Sequence, residues 1–321
     1  MLKQRHLFET LNFINRIVLF VGIIACTIDA ADSIPGIGMI GNVGKIAGGF
    51  KFTEGPAFDG SQYLYFTDVQ ANRIYRWDAA SKTPTAPEVF LDPAGTCNGL
   101  MLDGEGRLIA CSMDGELLSI DTSTKQKTTL VGQNDGKRFN ACNDLVIDKT
   151  GGVYFTDPRF KAPDPWPQGK EGVYYRSANG ETKRIAEDFD APNGIILSPD
   201  ESRLYVIPSM DSKMIVFDVI SPGVIENRRT FCELSQVAGQ SNKGGDGLTI
   251  DTQGNLYITS ALGLQVFAPD GNQLGTIALP EQPANVTFGG TDNSTLYATA
   301  RTSLYAIPTG AKGHRFSGKV K

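Results

Sequence analysis

Histidine is nearly missing from this chain of 321 residues: there are two, His6 and His314, one close to each end. A histidine general base and a histidine-held zinc site therefore have no residues to build them. There is no Gly-x-Ser-x-Gly elbow either, which removes the serine nucleophile of the α/β-hydrolase type. The apolar run at 17–26, IVLFVGIIAC, falls short of the roughly 20 residues that span a bilayer. The 30 basic residues are scattered against 35 acidic ones, for a net charge of −5, so no basic patch marks a nucleic-acid partner. No long helical period competes with the short alternating runs described below.

Lys3, Arg5 and Arg16 precede that apolar run, and TIDAADS follows it in small and polar residues. This is the layout of a secretory signal over 1–30, and it implies export to a periplasmic or extracellular compartment. Ile23-Ile-Ala-Cys26 also has the form of a lipobox, in which a lipidated Cys26 would tether the chain to a membrane; cleavage after Ala30 is the competing site. Beyond the signal, Cys97, Cys111, Cys142 and Cys232 remain, an even number in an oxidising compartment. A Cys97–Cys142 bridge and four buried thiols are both compatible with their spacing.

What the chain has in abundance is a repeat. EGPAFD, NGLMLD, NDLVID, NGIILS, DGLTID and NVTFGG start at Glu54, Asn98, Asn143, Asn193, Asp246 and Asn285. Each is followed by a β-rich run of the type LYFTD, starting at Leu64, Leu108, Val153, Leu204, Leu256 and Leu296, at intervals of 40 to 52 residues. Third runs such as RIYRWD and KMIVFD, and outer runs such as PEVFLD and KTTLV, complete the units, with Asp-Gly, Pro-Asp and Asn-Gly turns between them. Six units of four short strands predict an all-β, six-bladed β-propeller over 37–310. The sixth unit lacks its outer run, and 43–47 precedes Glu54 as an outer run precedes each other mouth residue. This segment should therefore close the last blade, leaving 311–321 as a polar tail.

In a propeller the innermost strands run along the central channel, so their first residues converge on one rim. Glu54, Asn98, Asn143, Asn193, Asp246 and Asn285 then form a ring of side-chain oxygens. A single Asn-Gly is an ordinary turn; six oxygen-bearing residues in register are not. Carboxylates crowded there repel one another and resist burial unless a cation balances them. Carboxylate and amide oxygens suit one divalent ion of the calcium type better than zinc or copper. Such an ion beside a carboxylate supports metal-assisted hydrolysis. Asp68 and Asp157, after the YFT strands, read as caps of turns. The Pro-rich stretch DPRFKAPDPWPQGKEG, which holds Asp157 and Trp166, reads as an ordered lid over the mouth.

The segments EGPAFD, RFNACNDLVID, GGVYFTDP, PNGIILSPDESRLYV and GGDGLTIDTQGNLYIT together resemble the senescence marker protein/gluconolactonase/regucalcin-like family over nearly the whole chain after the signal. The resemblance implies a six-bladed propeller holding one divalent metal, usually calcium, and hydrolysing sugar lactones and related esters. It places the metal ligands at Glu54, Asn143, Asn193 and Asp246, makes Asp246 the general base or nucleophile, and lets Asn143 touch substrate as well. It also implies a substrate-facing basic residue at Arg138, for which a solvated loop charge is the alternative. Asn98 is a further candidate substrate contact on the rim. Three readings stay open: a calcium-dependent sugar lactonase, a metal-dependent esterase or phosphotriesterase using the same site, and a non-catalytic propeller with a structural metal.

Overall fold

The computed structural model describes residues 33–83, 85–240 and 244–321. The expected signal segment, with Cys26 and His6, lies outside them. Among the described residues there is no α-helix, and one 3-10 turn at Val69–Ala71. Six four-stranded antiparallel sheets follow one another as blades. Their innermost strands are Thr53–Phe58, Cys97–Leu102, Leu145–Ile147, Pro192–Leu197, Leu248–Ile250 and Asn285–Gly289.

Burial falls from the channel outward, as a radial architecture requires. In blade 2 the second strand, Leu108–Ser112, is buried at every residue, because neighbouring blades cover both its faces. The outermost strand of that blade, Lys127–Val131, is exposed or half-buried throughout. The continuous apolar LYFTD-type runs are thus doubly covered strands, and the lysine- and threonine-rich outer runs are rim strands.

Ring closure falls where the repeat count placed it. Gly44–Gly48 pairs antiparallel with Ser303–Pro308 as the fourth strand of blade 6, with Gly44 opposite Ala306 and Gly48 opposite Ser303. The residues before it reinforce the joint: Ile34, Ile37 and Ile40 are buried in one cluster with Leu264, Ile277 and Ile307 of blades 5 and 6.

The stretch 311–321, expected to be a polar tail, is instead a strap across the channel end away from the ring. His314 N donates to Ile250 O (3.0 Å), Gly104 N donates to Gly318 O (2.8 Å) and Arg315 Nη1 donates to Gly60 O (3.0 Å). Arg107 and Arg176 donate to the carbonyls of Val320 and Lys321. Val320, 1% exposed, fills a core cluster of blades 2 and 3. The strap binds mostly through its own backbone groups, which polar composition does not reveal. Removing 311–321 should therefore cost stability, contrary to what a free tail implies. Burial of Val320 and five blade contacts together predict a fall of about 5 to 10 °C in thermal midpoint. Calorimetry on the truncated chain checks this, and an unchanged midpoint would mean that the strap is not held.

Candidate functional site at the channel mouth

Glu54, Asn98, Asn193 and Asn285 stand at or beside the first residue of an inner strand, and Asn143 and Asp246 lie two residues before theirs. What brings them together is close backbone contact between neighbouring blades. Gly99 N donates to Asn143 O, Gly194 N to Asp246 O and Gly247 N to Ala284 O, each at 2.8 Å. The glycines that follow the mouth residues permit this approach. A Cβ at Gly99 would stand 2.7 Å from Asn143 O, and one at Gly194 would stand 2.6 Å from Asp246 O. Their Asn-Gly pairs lie within inner strands, at close contacts between blades, rather than in turns.

A second device holds the segments that lead into the mouth. Asp68 accepts from the backbone N–H groups of Lys51 (2.9 Å) and Phe52 (3.0 Å), just before Glu54. Asp157 accepts from those of Asn140 (2.9 Å) and Ala141 (2.8 Å), just before Asn143. In blade 2 the same position is Ser112, whose hydroxyl donates to Gly95 O (2.7 Å), three residues before Asn98. The expected turn caps therefore set the register of two candidate ligands as well; Asp68 also caps the 3-10 turn.

Five of the six ring residues, Glu54, Asn98, Asn143, Asn193 and Asp246, line one cavity of about 360 Å³. Phe52, Val69, Met113 and Phe160 form its apolar wall, and Gln70, Gln282 and Ser260 add polar groups. The sixth, Asn285, lines a second cavity of about 370 Å³ on the channel side of the ring, closed below by His314 to Ser317 of the strap. His314 is thus across the ring from the mouth, where its imidazole packs edge-on against Phe316 (4.7 Å). Arg138 does not line the mouth. Its guanidinium donates to Phe139 O (3.0 Å) and Asn140 O (3.1 Å), the loop-bound alternative to a substrate contact. The Pro-rich stretch reaches the mouth only through Phe160 and Lys161, while Trp166 is outside the lining. The four described cysteines are buried and unbridged.

The electrostatics of the ring are dominated by burial of like charge. Burial raises the Glu54 carboxyl well above its ordinary range, and the negative charges of Asp246 and Asp144 push it further. Burial lifts Asp246 to about 6, opposed by the hydrogen bond from Asn193 Nδ2 (2.7 Å) and the positive charge of Arg301. Asp144, also lifted to about 7 by burial, was missed as a site residue. Its carboxylate accepts from Leu145 N (2.9 Å) and lies 3.5 Å from Asn285 Nδ2. Its signal was available: where Glu54, Asn98, Asn193 and Asp246 are followed by glycine, Asn143 is followed by an acid.

Among the described residues no group of three or more His, Cys, Asp or Glu side chains is placed to hold a metal. A cation at this mouth must therefore draw on amide oxygens beside carboxylates. Glu54, Asn143, Asn193 and Asp246 provide two of each on one cavity. The donors are all hard oxygens, and the carboxylates are buried together at an energetic penalty that a dication would relieve, so the residues fit such an ion.

The architecture is a six-bladed propeller with a strapped channel and an acid-and-amide ring at its mouth. The match to known proteins is more specific. Residues 52–302 match the SMP-30/gluconolactonase/LRE-like region, and the chain belongs to that family. It is 31% identical over 290 residues to a gluconolactonase of Zymomonas mobilis, covering 82% of this chain and 80% of that protein. It is 26% identical over 268 residues to the diisopropyl-fluorophosphatase of Loligo vulgaris, covering 76% and 84% of the two chains. Among solved structures, a gluconolactonase from Xanthomonas campestris superposes with a TM-score of 0.77 at 28% identity, covering 84% of this chain and 90% of that one.

The raised carboxyl groups make a pH prediction. An unfolded carboxylic acid loses its proton near pH 4, whereas in the folded chain Asp246 and Asp144 keep theirs to about 6 and about 7. The folded state holds more protons between those values, so this contribution to stability is present below about pH 4 and lost as pH rises through 6 to 7. The thermal midpoint of the metal-free protein should fall between pH 5 and 8. Added calcium should recover much of the loss at pH 8 and little at pH 5. Melting curves with and without calcium check this; the same recovery at both pH values would contradict it.

Proposed function

We propose that this chain is a divalent-cation-dependent lactonase, calcium being the preferred ion, that opens sugar lactones by carboxylate-assisted attack at the channel mouth. The observation that carries this reading is the convergence of Glu54, Asn143, Asn193 and Asp246 on one cavity with an apolar wall. Similarity to two gluconolactonases supports the substrate class. Glu54, Asn143, Asn193 and Asp246 would hold the ion, which when bound supplies a Lewis acid for the lactone carbonyl oxygen.

The protein's own groups do the rest. Asp246 is held in orientation by Asn193 and projects from the segment before the innermost strand of blade 5 into the cavity. Its carboxylate takes the proton of an attacking water and returns it to the ring oxygen as the acyl C–O bond breaks, or itself attacks the carbonyl carbon and expels the ring oxygen, which takes a proton from water, leaving an ester that a second water hydrolyses. Asn98 and Asn143 present amide groups to the hydroxyls of a sugar ring, and Phe52, Val69, Met113 and Phe160 cover its apolar face. Likeness to the fluorophosphatase favours a second reading, in which the same mouth accepts a phosphoryl ester. We further propose export of the chain, on the strength of the charged, apolar and small-residue order of 1–30.

Asp246→Asn keeps an oxygen at the position but removes basicity and a negative charge. With saturating calcium, its lactone turnover should fall by about 10²- to 10⁴-fold, the usual worth of a general base, while calcium affinity falls only moderately. Calorimetry and a panel of aldonolactones, aryl esters and phosphotriesters, with and without chelator, check both halves. Wild-type turnover in Asp246→Asn would leave Asp246 as a ligand only. Chelator-insensitive hydrolysis would remove the ion from the reaction.

A further inference from the structure

Among the described residues that line the mouth, Lys161 is the one that carries positive charge. Several independent features set it there. The preceding residue but one, Arg159, is tied down on three sides: its N–H and Nη1 donate to the two Glu171 carboxylate oxygens and its Nη2 to Asp190 Oδ1, all at 2.7 Å. Glu171 in turn accepts from Ala191 N (3.0 Å), at the entrance to the strand that carries Asn193. Phe160 packs against Val69, Met113 and Ala141, which fixes the chain at the cavity wall. Lys161 itself has φ 58°, the left-handed region in which a side chain is uncommon, and Ala162 N closes the turn on Arg159 O (2.9 Å).

Lys161 is exposed on this anchored backbone and belongs to the lining of the mouth, and among the described residues no carboxylate or carbonyl accepts from its ammonium. Lys170, in the same loop, pairs with Glu187 (2.7 Å), so the loop's other lysine is engaged elsewhere. Arg301, the cation nearest in influence to Asp246, is committed to Gln282 Oε1 (2.6 Å) and stands over the Phe52 ring (5.6 Å).

We propose that Lys161 is a specificity-determining residue that binds a carboxylate on the substrate distal to the scissile ester, so that the preferred substrate class is a lactone of a sugar diacid rather than of a simple aldonic acid. The inference rests on the lactonase reading above. In that reading a dication sits between Glu54 and Asp246, and Lys161 remains the one cation of the lining without a side-chain acceptor. A neutral lactone leaves that charge without a partner; an anionic one pairs it in a cavity partly shielded from water. The cavity of about 360 Å³ has room for a lactone ring beside its open-chain carboxylate arm.

The test uses the full chain saturated with calcium, with Lys161→Gln and Lys161→Arg as variants. Each is assayed on an aldonolactone and on the aldarolactone that differs from it by one terminal carboxylate. The wild type should favour the aldarolactone in kcat/KM. Lys161→Gln should reduce that preference by about threefold to tenfold, through KM rather than kcat, and Lys161→Arg should restore most of it. Raising the salt concentration should narrow the wild-type preference and leave the Lys161→Gln ratio flat. In parallel, calorimetry measures binding of the open-chain aldonate and aldarate. The aldarate should bind the wild type more tightly, and the difference should shrink in Lys161→Gln. A preference that is absent in the wild type, or undiminished in Lys161→Gln, overturns the proposal even if both lactones are hydrolysed. If neither lactone turns over, the lactonase reading fails, and the binding comparison alone then upholds or overturns the role of Lys161.

Discussion

The structure depends on one costly arrangement: the carboxyl groups of Glu54 and Asp246 brought out of water at the mouth of one channel, with that of Asp144 buried beside them on the channel side of the ring. Each has its proton affinity raised first of all by burial, and Glu54 further by the charges of the other two. Proteins do not keep such a group of acids for its contribution to folding, since burying like charges opposes it. The surrounding amides soften the repulsion without removing it. Asn193 donates to Asp246, while among the described residues that line the mouth only Lys161 is cationic. Such an array of acids favours a positive charge beside it, and Phe52, Val69, Met113 and Phe160 line the same cavity.

The remainder of the fold can be read as the means of holding that arrangement still. Neighbouring inner segments approach closely enough for Gly99 and Gly194 to bond the backbone of Asn143 and Asp246 across blade boundaries. Asp68, Ser112 and Asp157 grip the segments two or three residues ahead of Glu54, Asn98 and Asn143. A propeller of six separate sheets has no continuous hydrogen-bonded ladder around the ring, so closure must come from its ends. Here both ends contribute, Gly44–Gly48 as the fourth strand of blade 6 and 311–321 as a strap beneath the channel. Two closures thus hold the ring, one in the outer rim of blade 6 and one beneath the channel.

Much of this was legible in the order of residues, because a propeller writes its geometry as a repeat. The blade count, the identity of the closing strand and the ring positions all follow from aligning EGPAFD with its five counterparts, since equivalent positions in a radial array share one radius and one height. What the repeat could not convey is direction. Arg138 stands five residues before Asn143, but its guanidinium folds back onto the Phe139 and Asn140 carbonyls. Asn285 is in register with the other ring residues yet faces the channel cavity, and Asp144, out of register by one, joins it there. The strap was invisible for a different reason: it is held largely through its own backbone groups, by backbone and arginine partners on distant blades, which leaves little mark on its composition.

The central claim is that the acids and amides of the mouth form one cation site. Its most direct measurement is a crystal structure of the protein grown with calcium, read by anomalous scattering. The account predicts one ion at the mouth bound by oxygens of Glu54, Asn143, Asn193 and Asp246 at about 2.3 to 2.6 Å, with water completing the shell. A mouth without an ion at saturating calcium, or an ion held elsewhere by other residues, would contradict it.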